Sequence, residues 1–408
     1  MKVLYISSRL NVPDGSSVHG RAFYTSVKKL NHEICTYPEI VAIQNDGNHE
    51  TPSWSNIAFY NKKIKRIFNK LKRINPIVAV CIDFLDGLLD SIRDYYHLKS
   101  IVQKFKPDVI VYRQYLYNYA AVWLSKKFAI PCVSEVNAIK TDELQLKANK
   151  SISTSIIQKS ELYNLVRSDS VFCVSDAIKE ILDSLIDSKN VSVIPNGVDA
   201  DVFDRNKFSS EQIKEELNLQ DKIILGYVGS YQTWHGLETM LSMIEGLAKV
   251  DSRYHLLLIG SGKEFVNIKQ RVDREGLCTL VTQIDHVPHA EIPKYLSVFD
   301  VAVMTYPIID GFYFSPLKMY EYMAMSLPVV STDIGQIRSV IEDDKTGKLV
   351  IDPTPHEFVK AVLSVTNDRD QLVQMGKNAR QEAVENHSWL TNASRVMDLC
   401  ANLIANKN

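Results

Sequence analysis

The sequence predicts an α/β protein made of two parallel-sheet domains, and three observations carry that reading. Short apolar runs alternate with amphipathic stretches almost from end to end. The alternation restarts after residue 222. Between the two sets lies the turn-rich break Pro195-Asn196-Gly197-Val198-Asp199, followed by a polar stretch over 204–221. Strands alternating with helical patterns build βαβ units and hence parallel sheets. A chain of 408 residues is also too long for one ordinary domain and comfortable for two.

Taken in order, KVLYI at 2–6 is the first strand, and 22–30 is part of the helix after it. Strands at 108–112 (DVIVY), 132–136 (CVSEV), 171–174 (VFCV) and 191–194 (VSVI) complete the first set. The second set is 223–228 (IILGYV), 255–259 (HLLLI), 301–304 (VAVM) and 328–331 (PVVS). The expected domains are 1–198 and 199–385, with a last helical segment at 386–408. No short-period repeat is present, which excludes a solenoid.

Composition narrows the class. Hydrophobic residues make up 45% of the chain and charged residues 23%, the profile of a soluble globular protein. A formal net charge of −1 gives no global basic field, so no nucleic-acid partner is expected. The opening MKVLYISSRL has an apolar run of about five residues, shorter than the roughly 7–15 of a secretory signal core. No stretch approaches the roughly 18 apolar residues of a membrane span. The six cysteines (Cys35, Cys81, Cys132, Cys173, Cys278, Cys400) lack metal-ligand spacing, and several sit in apolar runs. We therefore expect reduced thiols, no disulfide, no bound metal and a cytoplasmic protein.

The most informative segment runs Ser315-Pro316-Leu317-Lys318-Met319-Tyr320-Glu321-Tyr322-Met323-Ala324, then Met325-Ser326-Leu327-Pro328-Val329-Val330. It reads as a loop, a short helix and a buried strand. A helix start offers unpaired backbone N–H groups and the positive end of a dipole, which suit a diphosphate. Lys318, in the first turn, adds a full charge near the same anion. Glu321 lies one turn on and faces the same side, where a carboxylate suits two vicinal ribose hydroxyls. In isolation the two residues also read as a surface pair on an ordinary helix.

That segment resembles the nucleotide-sugar signature of the retaining glycosyltransferases of family 4 (glycosyl transferases group 1), which ends in E-A-M-A or E-Y-M-A, a small-residue turn and P-V-V. Four further segments are similar to that family's. They are Val193-Ile194-Pro195-Asn196-Gly197-Val198-Asp199, Gly226-Tyr227-Val228-Gly229-Ser230 with Trp234-His235-Gly236, Ile259-Gly260-Ser261-Gly262, and Ile292-Pro293-Lys294-Tyr295-Leu296 with Asp300-Val301. The resemblance covers nearly the whole chain. It implies a GT-B architecture, two Rossmann-like domains facing one another across a cleft, with a last helix around 388–404 crossing back onto the first. It also implies a nucleoside diphosphate sugar as substrate, UDP-sugar foremost, without cofactor or metal and with retained anomeric configuration. Donor contacts then fall to Gly15, Ser230, Gly260, Gly262, Ser315, Pro316, Leu317, Lys318 and Glu321.

Two departures from the family pattern concern the donor. Many members carry an Arg and a Lys in the first C-terminal loop, where this chain has Ser230 or Tyr231, and His235. His235 reads either as a donor to phosphate, with a charge set by pH, or as packing beside Trp234. The family often has a second Glu eight residues before the position of Glu321. Here that residue is Tyr313, so sugar contacts pass to the backbone amides of 311–315.

In the first half, Gly15-Ser16-Ser17-Val18-His19-Gly20-Arg21 follows the first strand and resembles the family's glycine loop, where a residue without a side chain lets the backbone approach a ligand. His19 and Arg21 face either a ligand or the helix surface. Many members have a His near Asn137. An Asn hydrogen-bonds hydroxyls but shuttles no proton, which leaves Glu135 as the nearby ionisable group, with a buried structural carboxylate as the alternative. The run Tyr112-Arg113-Gln114-Tyr115-Leu116-Tyr117-Asn118-Tyr119 suits sugar stacking or plain packing. Arg113 and Tyr115, with His19 and Arg21, are the acceptor-side candidates. Lys318, His235, Glu135 and Asn137 are the catalytic ones.

Residues 62–73 hold seven basic side chains in twelve, interleaved with apolar ones at near-helical spacing. Such a segment reads as a solvated face over a core stripe, or as a peripheral membrane contact through 62–74 at the cytoplasmic face. The expected function is transfer of a sugar to a hydroxyl of a glycan, lipid-linked or small-molecule acceptor, in surface polysaccharide or glycoconjugate synthesis. A nucleotide-sugar epimerase of the same fold and a non-catalytic sugar-nucleotide-binding scaffold remain as alternatives.

Overall fold

The structure, a computed structural model, describes residues 1–12, 15–40, 76–139, 152–186 and 191–406. The basic segment 62–74 lies outside them. The chain divides into two compact units, one comprising 1–195 with 392–408 and the other 196–391. The boundaries differ by a few residues from those read in the sequence. Val198 shows why: its N–H donates to the His387 carbonyl at 2.9 Å, and its carbonyl accepts from Trp389 at 3.1 Å. Those bonds tie 196–198 to the far end of the second unit.

In the first unit, β1 (Lys2–Ile6), β2 (Glu33–Tyr37), β3 (Val109–Arg113), β4 (Cys132–Val136), β5 (Ser170–Cys173) and β6 (Val191–Val193) form one parallel sheet. Their order is β2-β1-β3-β4-β5-β6. The two-residue period of a strand sends alternate side chains to opposite faces. Val3, Tyr5, Val109 and Val111 enter one core with Phe23 and Val27 of the helix Gly15–Lys29 and with Ala393, Val396 and Met397 of the helix Trp389–Ala405. Leu4, Ile110 and Tyr112 enter the other, under the helices Pro76–Phe105 and Ala120–Phe128. Burial on both faces is why these strands read as continuous apolar runs.

The second unit repeats the plan. It comprises β7 (Ile223–Val228), β8 (Tyr254–Ile259), β9 (Val281–Ile284), β10 (Val301–Met304), β11 (Val329–Thr332) and β12 (Gly347–Val350), in the order β12-β11-β10-β7-β8-β9. Leu225, Leu256 and Val303 pack under the helices Leu237–Ala248 and Pro355–Thr366. Ile224, Leu257 and Met304 pack under Leu317–Ala324 and Arg369–Asn386. Strand order reverses between β1 and β3 in the first unit and between β7 and β10 in the second. Ligands of open parallel sheets bind outside the carboxyl ends of the strands at such a reversal.

Candidate functional site

In the second unit the residues at the end of β7 and the start of the helix Leu317–Ala324 converge. The Tyr322 hydroxyl, rising from that helix, accepts from the Val228 N–H at 2.7 Å and fixes the helix against the strand end. Lys318 is thereby carried inward. Its Nζ donates to Tyr227 Oη at 2.9 Å and stands 4.1 Å from the centre of that ring. Tyr227 Oη passes its own proton to the Ser230 carbonyl at 2.9 Å. Among the described residues no carboxylate lies within ion-pairing distance of Lys318. Burial pushes its ammonium down to about 7, against a smaller upward pull from Glu321. The chain folds tightly enough for this because Gly229 has φ +150° and no side chain; a Cβ there would sit 2.5 Å from Nζ.

The rest of the loop is committed to backbone packing. A Cβ at Gly260 would overlap the Gly229 carbonyl, and one at Gly262 would lie 2.6 Å from the Tyr231 carbonyl oxygen. These glycines let the β7 and β8 loops close on each other, with Tyr231 N–H donating to the Ser261 carbonyl at 2.8 Å. Pro316 caps the helix without an N–H of its own. The Leu317 and Lys318 amides open it with no intrahelical acceptor. At Ser315, read in the sequence as a donor contact, the side chain and the carbonyl are both hydrogen-bonded within the protein. Its Oγ accepts from Asn196 N–H at 3.1 Å and bonds Tyr320 Oη at 2.9 Å, and its carbonyl accepts from Asn196 Nδ2 at 2.7 Å. Tyr313 is buried, with its ring 4.4 Å from that of Phe314.

For His235 the sequence left phosphate donation and packing beside Trp234 as alternatives, and the structure shows the packing. Its Nδ1 lies 2.6 Å from the Ser230 carbonyl, which can only accept, so that nitrogen carries the proton. The ring packs among Tyr227, Trp234 and Tyr306 with centroids 5.6–6.0 Å away. Burial pushes its pKa well below the ordinary imidazole range, and the Lys318 charge adds to that. A neutral ring protonated at Nδ1 offers only an acceptor at Nε2.

Glu321 is 8% exposed, and its Oε1 is 2.7 Å from His289 Nε2. No local pattern signals His289, an isolated histidine on a one-turn segment after β9. Tyr227 was also missed as a partner, although an aromatic ring with a polar tip inside an otherwise apolar strand was the available cue.

In the first unit the four-donor environment of Glu135 dominates. This 1% exposed carboxylate receives Tyr5 Oη at 3.0 Å and Asn137 Nδ2 at 2.5 Å. His19 Nε2 lies 3.2 Å and Arg113 Nε 3.6 Å away. Burial alone would raise its pKa. The His19 and Arg113 charges, with the Asn137 and Tyr5 hydrogen bonds, hold it below the ordinary carboxylate range. All four of these partners are side chains. Arg113 also donates from Nη1 to the Ser16 carbonyl at 3.1 Å, joining the helix that begins at Gly15. Arg21 is committed to the preceding loop, donating to the Leu10 carbonyl and Asn11 Oδ1 at 2.9 Å each. Tyr115 is half exposed and lines a cavity of about 290 Å³ with Arg9, Tyr37, Arg93, Asp94 and Arg113. Among the described residues no group of three or more His, Cys, Asp or Glu could hold a metal ion, and no helix is long and apolar enough to cross a membrane.

Comparison with known proteins finds glycosyltransferases. The model of the family "Glycosyl transferases group 1" matches residues 209–382, and that of "Glycosyltransferase Family 4" matches 41–202. Spore coat protein SA of Bacillus subtilis is 24% identical over 245 residues, 56% of this chain and 64% of that protein. D-inositol 3-phosphate glycosyltransferase of Corynebacterium glutamicum is 24% identical over 232 residues, 54% of each. The chain thus spans less than two thirds of the length of these two relatives. An uncharacterized glycosyltransferase of Methanocaldococcus jannaschii is 22% identical over 391 residues, 95% of each. Among solved structures, Anabaena HepE in complex with UDP superposes with a TM-score of 0.67 at 15% identity, covering 98% of this chain and all of that one. Sucrose-phosphate synthase from Thermosynechococcus elongatus gives 0.70 at 16% identity over the full length of both. At such identities the structural likeness is one of fold.

Proposed function

The chain belongs to the group 1, family 4 glycosyltransferases and has their GT-B fold, and from that premise we propose that it transfers a sugar from a nucleoside diphosphate sugar to an acceptor hydroxyl. The observation that carries the donor site is the half-buried Lys318 ammonium, which bonds a tyrosine hydroxyl and has no carboxylate in ion-pairing range among the described residues. A buried cation without a counter-charge is costly unless a ligand supplies the anion. A diphosphate does so, and the first-turn amides of Leu317 and Lys318 add donors aimed at the same anion.

In this reading the bond from the sugar's anomeric carbon to the diphosphate oxygen breaks, and the acceptor oxygen bonds to that carbon. The acceptor's proton passes to the departing diphosphate, and configuration is retained. Lys318 stabilises the charge that grows on the leaving group, while Glu321 holds the ribose. No metal or cofactor is invoked. UDP is the leading candidate nucleotide because the HepE structure that resembles this fold is a complex with UDP. The acceptor, a glycan, a lipid-linked sugar or a small molecule, occupies the cavity beside Arg113 and Tyr115. Surface polysaccharide or glycoconjugate synthesis is the proposed setting, at the cytoplasmic face of a membrane.

The test is turnover. Purified protein is incubated with UDP-, GDP-, ADP-, CDP- and dTDP-sugars, with and without a mixed glycan acceptor pool, and nucleoside diphosphate release is followed. Release that needs acceptor, with an α-donor giving an α-product by NMR, supports the reading. Interconversion of donor sugars without acceptor would make it an epimerase, and binding without any release would make it a scaffold.

A further inference from the structure

We propose that His289 is a positioning residue of the donor site, clamping one oxygen of Glu321 so that the other is presented to the ribose hydroxyls of the nucleotide. This rests on the donor-site reading of Lys318 and Glu321 above.

The terminal torsion of a glutamate is broad and roughly two-fold, so an unanchored carboxylate does not hold its oxygens in one plane. Glu321 is anchored on one side. Its Oε1 lies 2.7 Å from His289 Nε2, and no other hydrogen-bond partner engages either oxygen among the described residues. Oε2 therefore keeps its acceptor capacity on a side chain that is 10% exposed. His289 is itself held. Its ring sits 5.5 Å from that of the buried Phe203, whose carbonyl accepts from Arg380 at 2.9 Å. The imidazole's pKa would be lowered by burial, but the Glu321 carboxylate raises it, so near neutrality the clamp gains charged character. A residue fixing a ligand-binding carboxylate from behind acts on affinity through orientation, as outer partners of ligating groups do.

The experiment measures dissociation constants by calorimetry on the full chain. Its probes are UDP, GDP, ADP and CDP, each paired with its 2′-deoxy counterpart. Wild type, His289→Ala, His289→Gln, Glu321→Ala and the double Ala variant are compared. For whichever nucleotide binds, wild type should prefer the ribo form by about tenfold, the worth of one charge-assisted hydrogen bond. His289→Ala should bring the two forms within about twofold, again on the scale of a hydrogen bond. His289→Gln, whose amide can still donate to Oε1, should restore most of the preference. The double variant should bind like Glu321→Ala, because the histidine acts only through the carboxylate. An unchanged ribo preference in His289→Ala, or an equal loss in His289→Gln, would overturn the proposal. So would a wild type that binds nucleotide without preferring ribose, which leaves the donor site itself intact. A wild type that binds none of the four removes the donor site and this proposal together.

Discussion

Lys318 Nζ and Tyr227 Oη lie 2.9 Å apart, and the tyrosine is the ammonium's one hydrogen-bonding side chain among the described residues. The bond joins the first turn of the Leu317–Ala324 helix to a residue of β7, across the point where the second sheet reverses its strand order. A dipolar hydroxyl steadies a half-buried cation but does not neutralise it. The site is thus held ready for an anion at a cost to the empty protein.

That cost makes a first prediction. Replacing Lys318 with Met should stabilise the empty protein at pH 7, on the order of 1 kcal/mol or more, because a desolvated charge is exchanged for an apolar chain of similar length. The same change should weaken nucleoside diphosphate binding by about 10- to 100-fold, the range of a hydrogen bond to a charged group. Urea melts of the two proteins check the first part. A destabilised Lys318→Met would mean that the ammonium has a counter-charge.

The pH dependence follows with a definite sign. Burial lowers Lys318 to about 7 in the folded chain, below its value when unfolded. Between those values the unfolded chain binds more protons, so stability rises with pH from about 7 toward the ordinary lysine range and is lost as pH falls back. Lys318→Met should lack that increment when the two curves are subtracted. A bound diphosphate raises the same pKa, so binding at pH 8 should take up a fraction of a proton, read as a buffer-dependent calorimetric enthalpy.

Gly229→Ala tests the space around the ammonium. The new methyl would sit 2.5 Å from Nζ at a φ of +150°. We expect a loss of about 1–3 kcal/mol from the backbone alone, together with weaker nucleotide binding as the lysine is displaced. Thermal unfolding with and without nucleotide separates the two effects.

In the first unit, Glu135→Gln should behave as a structural lesion. The amide leaves Arg113 and His19 beside a neutral group, and breaking a buried charge arrangement costs about 3–5 kcal/mol. A Glu135 that acted only in proton transfer would instead give a stable but inactive Gln variant. Denaturation midpoints decide between them.

The sequence made the strand pattern legible where burial was two-sided. All nine strands read from it correspond to strands in the structure, within a residue or two. The three it missed, β2, β9 and β12, are all at sheet edges, and two of them have mostly half-buried residues. Edge strands lack a neighbour on one side and need less apolar surface, so the periodic signal fades. At the site, helix spacing puts Lys318 and Glu321 on one side, but spacing alone also fits a surface pair, and the resemblance of the surrounding segment is what singled them out. The partners that define their chemistry, Tyr227 and His289, come from segments about 90 and 30 residues away in sequence, and no local spacing encodes such a meeting. Ser315 and Arg21 show the converse. Each was a candidate ligand contact, and each is hydrogen-bonded to another segment of the chain that its motif does not reveal.

The most direct measurement is calorimetric titration of wild type and Lys318→Met with UDP, GDP, ADP, CDP and dTDP at pH 7. We expect one nucleotide to bind wild type clearly and to lose about 10- to 100-fold in Lys318→Met. Binding that is equally tight in both proteins would contradict the assignment of Lys318 as the diphosphate's counter-charge.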